Sequence, residues 1–249
     1  MSHSNHEIAY LSSLATKMRP VFAINLCALL GILVLATACV HKPNTKAIRK
    51  VKSAAIIGFT VVQPREKPLT GIDNTFKTGA KYFDMVTEQL QTAREWRMTP
   101  LKSLQPHRDY HALSLKFGAH LLSNDLRPTG ILSQEEQVNL SPKQRKKLRQ
   151  ALMVDGLVSV SFVITRRPPP PDNPDAPPLT AKISFDLYAG KQAKSVWHVA
   201  SLPSENADGP TMAEGLQLAD GDERDVAIAI SSALATMLKQ RQQDEADKK

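Results

Sequence analysis

Apolar residues change their spacing several times along the chain, and each change marks an element. The unbroken run AAIIGFTVV, Ala54 to Val62, is rich in β-branched residues and predicts a buried strand. After a loop holding Pro64 and Pro68, Phe76, Ala80, Phe83, Val86 and Leu90 recur at three- and four-residue steps, the spacing of one helical face. WRMTPL, Trp96 to Leu101, predicts a short second strand, parallel to the first because the helix between them serves as the crossover. Tyr110, Leu113, Phe117 and Leu121 return to helical spacing until Pro128 and Gly130 close the segment. A third helix begins at Ser141, a capping residue, with Pro142 in its first turn, and is expected to run to about Val154.

Asp155 and Gly156 then turn the chain into LVSVSFVI, where Val158, Val160, Phe162 and Ile164 share one side of a strand. TAKISFDLYA alternates more cleanly: Ile183, Phe185 and Leu187 are expected to face inward, and Lys182, Ser184 and Asp186 outward. Gly190, Lys191 and Gln192 turn it into AKSVWHVASL, with Trp197 toward the core and His198 toward the surface. DERDVAIAISSALATMLKQ closes the series as a helix with acids at its start and cations at its end, matching the helix dipole. The order is strand, helix, strand, two helices, three antiparallel strands, helix. It predicts the α/β class: a single three-layer domain over residues 54–239, with a mixed sheet of about five strands, including an antiparallel three-stranded meander, flanked by helices. The loop 166–178, RRPPPPDNPDAPP, is too rich in proline to continue a strand, and residues 240–249 read as a polar tail.

Ahead of this domain, an apolar run from Val21 to Ala38, broken by Asn25 and Gly31, follows Lys17 and Arg19 and ends in small residues, the order of a secretion signal. Its stretch Val21 to Leu35 falls short of the roughly 20 residues a bilayer core requires. Leu35, Ala36, Thr37, Ala38 and Cys39 resemble the lipobox of bacterial lipoproteins. The resemblance implies that residues 1–38 are a signal peptide and that Cys39 becomes the diacylated first residue of the mature chain. A simply cleaved signal and an uncleaved anchor are the alternatives. Polar sequence before the basic start is unusual for a signal, and a start at Met18 gives a compact one. Val40 follows the cysteine where an Asp is the usual inner-membrane retention signal in the lipoproteins it resembles. The expected location is therefore the inner, periplasmic face of an outer membrane.

With Cys27 in the segment removed and Cys39 used for lipid, the mature chain has no free thiol, which excludes disulfides, thiolate catalysis and cysteine-ligated zinc. Lys17, Arg19 and Glu7 leave with the signal, so the formal charge of +8 becomes +7. Much of it lies in KPNTKAIRKVK, Lys42 to Lys52, and in PKQRKKLRQ, Pro142 to Gln150. The first belongs to residues 39–53, read as lipid anchor and basic tether. In the second, Leu148, Ala151 and Leu152 gather on one side of a helix while Lys143, Lys146, Lys147 and Arg149 spread over the other side and its flanks, with no acid within it before Asp155. These cations form a candidate surface for an anion or a partner.

SAAIIGFTVV soon after the anchor, the passage ALMVDGLVSVSFVI and the hairpin ISFDLYAGKQAKSVWHVAS together resemble the periplasmic domains of the curli-secretion lipoprotein and the penicillin-binding-protein activator lipoproteins. No extra pair of long alternating strands exists to build the curli pore, so the resemblance implies an assembly or activator-like accessory role without pore formation. Catalytic signals are poor. His107 and His111 stand one turn apart, but Arg108 occupies the place where a zinc-protease motif carries Glu. ADGDERD lacks the glycine and the distal Glu of a calcium loop and reads better as a helix start, with Asp222 as cap and Glu223 and Asp225 in the first turn. AGKQ lacks the flanking residues of a phosphate loop. No cofactor, metal or catalytic residue is assigned. The reading is a non-enzymatic envelope lipoprotein that contacts the membrane through Cys39 and binds an envelope protein or an anionic wall polymer. Nucleic acid is not an expected partner for an exported chain. The alternative is a periplasmic hydrolase with a dispersed site built from residues such as His111, Asp155 and Asp186.

Overall fold

The computed structural model describes residues 43–64, 69, 75–119, 125–166, 179–190, 194–203 and 221–246. Residues 1–42, with Cys39, lie outside these, as do Leu121 and most of the proline-rich loop. The compact unit begins at Pro43. In chain order it holds α1 (Thr45–Ile48), β1 (Ser53–Val62), α2 (Thr75–Arg94), β2 (Arg97–Met98), α3 (Leu101–Leu104), α4 (Arg108–Lys116), α5 (Gln134–Val138), α6 (Pro142–Ala151), β3 (Gly156–Arg166), β4 (Leu179–Ala189), β5 (Trp197–Pro203) and α7 (Asp222–Ala246). The five strands form one mixed sheet in the order β2-β1-β3-β4-β5. β1 is parallel to β2 and to β3, and β3, β4 and β5 form the antiparallel meander.

Side-chain alternation assigns the two faces of this sheet to different helices. Phe59, Phe162 and Phe185 are fully buried on one face, where Phe59 meets Phe83 of α2 edge-on at 5.5 Å and Phe185 meets Trp197 at 4.7 Å. α7 packs beside α2: Tyr82 donates to the Glu223 carbonyl at 3.0 Å, and Lys81 pairs with the buried Glu223 carboxylate at 2.9 Å. The opposite face is polar: Gly58, Thr60, Ser159 and Ser161 lie there, and α5 covers them. Gln134 accepts from the Ser161 hydroxyl at 2.6 Å and its N–H donates to Thr60 Oγ1 at 3.2 Å. Only a residue without a side chain admits α5 so closely, because a Cβ at Gly58 would stand 2.9 Å from that of Gln137.

β1 carries one irregularity, between Ile56 and Gly58, where its register against β3 slips. The displaced Ile57 carbonyl accepts from the Tyr110 hydroxyl at 2.7 Å, and the Tyr110 oxygen in turn accepts the Leu132 N–H at 3.0 Å. Buried polar groups must find such partners, and burial pushes the Tyr110 phenol well above its ordinary range.

Several boundaries differ from the sequence reading. The segment read as a tether is folded from Asn44, whose side chain caps α1, and Ile48 and Val51 are buried in the core. α5 has no counterpart in that reading; its capping box, Ser133 with Glu136, is complete. α6 has the predicted cap at Ser141 and Pro142 but ends at Ala151 instead of near Val154. It closes in a Schellman arrangement, Met153 N–H to Gln150 and Val154 N–H to Arg149, with Met153 at φ +53°. A residue other than glycine costs about 1 kcal/mol or more in that left-handed conformation. Asp186, outward by its alternation, is instead buried, 5% exposed. α7 continues to Ala246 through most of the expected tail and buries Arg241; consequently its last turn holds no basic residue.

Candidate functional site

The parallel strands β1 and β3 start side by side, and what precedes each of them builds a cleft. Before β1 comes α1, whose short apolar side (Ile48, then Val51) is buried while Lys46 and Lys50 point to solvent. Before β3 comes Asp155, and its carboxylate joins the two segments. Asp155 Oδ2 accepts from the Lys52 N–H, the Ser53 N–H and the Ser53 hydroxyl at 3.0, 3.0 and 3.1 Å. In return the Asp155 N–H donates to the Ser53 carbonyl at 3.0 Å. Burial works to raise this carboxyl, but the donors of Lys52 and Ser53, with the Arg149 charge, hold it below the usual carboxylate range.

The resulting cleft, of about 570 Å³, is lined by Asn44, Lys46, Lys50, Arg149, Asp155 and Gly190, with Ala47, Val51, Val154 and Ala189 as its apolar part. Arg149 is fixed in place by donating to the Gly190 carbonyl at 2.6 Å. Lys46 and Lys50 form no ion pair among the described residues. The lining sets three cations against one ionised carboxylate, whose Oδ2 is taken up by the start of β1, so the cleft carries a net positive charge around a fixed guanidinium.

Because the Asp155 carboxyl is held low in the folded protein, its contribution is complete above the ordinary carboxylate value of 3.8 and is lost as pH falls through its lower folded value. The wild-type chain is therefore expected to lose more stability than Asp155→Asn does as pH is lowered below about 4, read as urea midpoints. At neutral pH the substitution is expected to cost about 1–2 kcal/mol. Parallel acid limbs for the two proteins would contradict this role.

Of the four cations singled out on α6, the structure separates one from the rest. Lys143, Lys146 and Lys147 are exposed on its outer face, whereas Arg149 turns into the cleft. The expected lack of balancing acids does not hold for Lys147, because the fold brings Asp109 of α4 to 3.2 Å. Lys147 is well exposed and Asp109 is partly so, and the pair contributes under about 1 kcal/mol. Arg145, not singled out, stacks on Tyr188 at 4.3 Å. Burial and the Asp186 charge push the Tyr188 phenol upward, with Arg145 opposing.

The residues named for a dispersed hydrolytic site are not joined. His111 is exposed on α4, Asp155 serves the start of β1, and Asp186 holds His198 Nδ1 at 2.8 Å on β5. Trp197 is buried and His198 exposed, as the strand alternation implied. Lys46 and Lys50 were missed as site residues because their segment read as tether; Ile48 and Val51, spaced one helical turn apart behind the capping Asn44, were the signal of a folded element. Among the described residues no helix is long and apolar enough to cross a membrane, and no group of three or more ligating side chains is gathered. No protein-family model matches this chain, and no curated protein or solved structure matches it either.

Proposed function

We propose that this protein is a membrane-anchored envelope lipoprotein, held by acylated Cys39, whose periplasmic domain binds an envelope protein or an anionic wall polymer in an assembly or activator-like accessory role. The observation that carries the binding reading is the outer face of α6, where Lys143 and Lys146 are exposed and without a carboxylate partner among the described residues. A rigid helix with a complete capping box holds these charges, and unbalanced cations on a fixed element attract acidic surfaces at long range. The leader, the lipobox-like Leu35 to Cys39 and the resemblance of the strand and hairpin segments to activator lipoproteins favour the envelope as the setting.

A photoreactive residue in place of Lys146 tests this in intact cells. Crosslinks to an envelope protein or to wall material are expected, and Lys143→Gln should reduce them, most at low salt where screening is least. Products confined to cytoplasmic proteins would contradict the reading. One observation favours the hydrolase alternative: the buried Asp186 carboxylate orients the exposed His198 imidazole, the arrangement of a general base. That alternative requires His198→Asn to abolish hydrolysis of a wall-derived substrate.

A further inference from the structure

We propose that the cleft between α1 and α6 docks on the phosphate groups of anionic phospholipid, and that Met153 beside it enters the bilayer. This rests on the lipoprotein reading for its anchor and adds which end of the domain meets the membrane. Three independent features converge on that end of the sheet.

The first is charge. Lys46 and Lys50 have no carboxylate partner among the described residues, Arg149 is fixed by the Gly190 carbonyl, and Asp155 is occupied by the start of β1. A cleft of about 570 Å³ whose three cations outnumber its one carboxylate suits an anionic phosphodiester headgroup.

The second is Met153. It is 82% exposed, the most exposed of the large hydrophobic residues described, and it adjoins Val154 and Asp155 of the cleft lining. It also takes φ +53° at the helix-end position where glycine is ordinary. The chain thus keeps a long apolar side chain in water, in an unfavourable backbone conformation, next to a cationic cleft. Strain that the fold retains in this way points to use, and an apolar residue beside cations is the chemistry of an interfacial contact.

The third is chain length. Asn44 lines the cleft, and only three residues, 40–42, separate Cys39 from Pro43, where the compact unit begins. At about 3.3–3.6 Å per residue, the four steps from Cys39 to Pro43 span at most about 14 Å. With acyl chains on Cys39 in the bilayer, the cleft lies within reach of the headgroups.

The test uses the full acylated protein in phosphatidylcholine vesicles with and without phosphatidylglycerol, their acyl chains brominated to quench tryptophan. Met153→Trp places the reporter, and Val163→Trp serves as control because Val163 is an exposed apolar residue near the far end of β3. Trp96 and Trp197 are each 2% exposed and give a constant background. Quenching is expected at position 153 and not at 163, and only with phosphatidylglycerol present. Lys46→Gln with Lys50→Gln, which leaves the Arg149 bond intact, should weaken this docking roughly 30-fold, the loss expected for two cations. Met153→Gly should raise the thermal midpoint by about 2–4 °C, and on vesicles this variant should lose phosphatidylglycerol-dependent protection of the cleft lysines from acetylation. Equal quenching at 153 and 163, or quenching at 153 that ignores both phosphatidylglycerol and the lysine substitutions, overturns the proposal. Vesicle flotation and the mass of the Cys39 peptide are read separately. A protein that is acylated and floats but leaves the indole of the Met153→Trp variant unquenched refutes the cleft docking while the anchor stands; a chain without acylation that still shows the quenching refutes the anchor alone.

Discussion

Gly79→Ala is expected to destabilise the domain by about 2–4 kcal/mol, although the same change in an exposed helix would stabilise it by about 1 kcal/mol. Gly79 is buried within α2, and a Cβ there would stand 2.5 Å from the backbone N and C and 2.6 Å from the Cα of Arg127. Contact with a flexible side chain could be relieved by rotation. Contact with backbone requires that a whole segment move. That segment is tied on both sides: the Leu126 N–H donates to the Val61 carbonyl at 2.9 Å, and the Arg127 guanidinium meets Glu136 at 3.1 Å. Glu136 is also the acid of the α5 capping box, accepting the Ser133 N–H at 2.6 Å. Displacing Arg127 therefore disturbs the cap of the helix that covers the polar face of the sheet. The expected loss lowers the thermal midpoint by roughly 5–15 °C. A midpoint equal to or above that of the wild type would mean that α2 and the Arg127 segment do not approach this closely in solution.

Cys39→Ser is expected to shift the protein from the membrane to the soluble fraction and to abolish incorporation of labelled fatty acid. Two acyl chains bury on the order of 30 methylenes at about 0.8 kcal/mol each. Lysines near an anionic surface contribute about 1 kcal/mol apiece, so the exposed cations of α1 and α6 cannot replace the anchor. Unchanged fractionation without label would leave the chain held by some other segment and would end the lipoprotein reading.

The sheet was legible because its apolar spacing is strong and its turns are marked. Val158, Val160, Phe162 and Ile164 are buried together as their alternation implied, and Ser141 and Pro142 start α6. The misreadings share a cause, which is that local pattern does not report tertiary neighbours. Asp186 alternates as an outward residue but lies on the polar face, between Ser159 of β3 and His198 of β5, and this crowding buries it. Arg241 reads as tail because it follows the last apolar residue of α7 before Ala246, yet the helix carries it into the interior. β2 is only two residues long, shorter than WRMTPL implied, since Pro100 removes a donor from the ladder and precedes α3.

The cleft was harder to read than the sheet. Its cations come from two segments about a hundred positions apart in the chain, joined by Asp155 bridging to Lys52 and Ser53. Basic residues around Ile48 and Val51 looked like a solvated tether because the apolar content is so small. Arg149 reads as a candidate from its place on the flank of α6, but its companions in space are Lys46 and Lys50, which line the cleft with it, while Lys147, two residues before it, points to the other side of the helix.

The anchor itself is decided by the mass of the N-terminal peptide from protein extracted out of cell membranes. The expected peptide begins at Cys39, with no residue of the preceding segment, and carries the added mass of a diacylglyceryl group. A peptide in which Cys39 is unmodified, or which still contains Leu35 to Ala38, would contradict it.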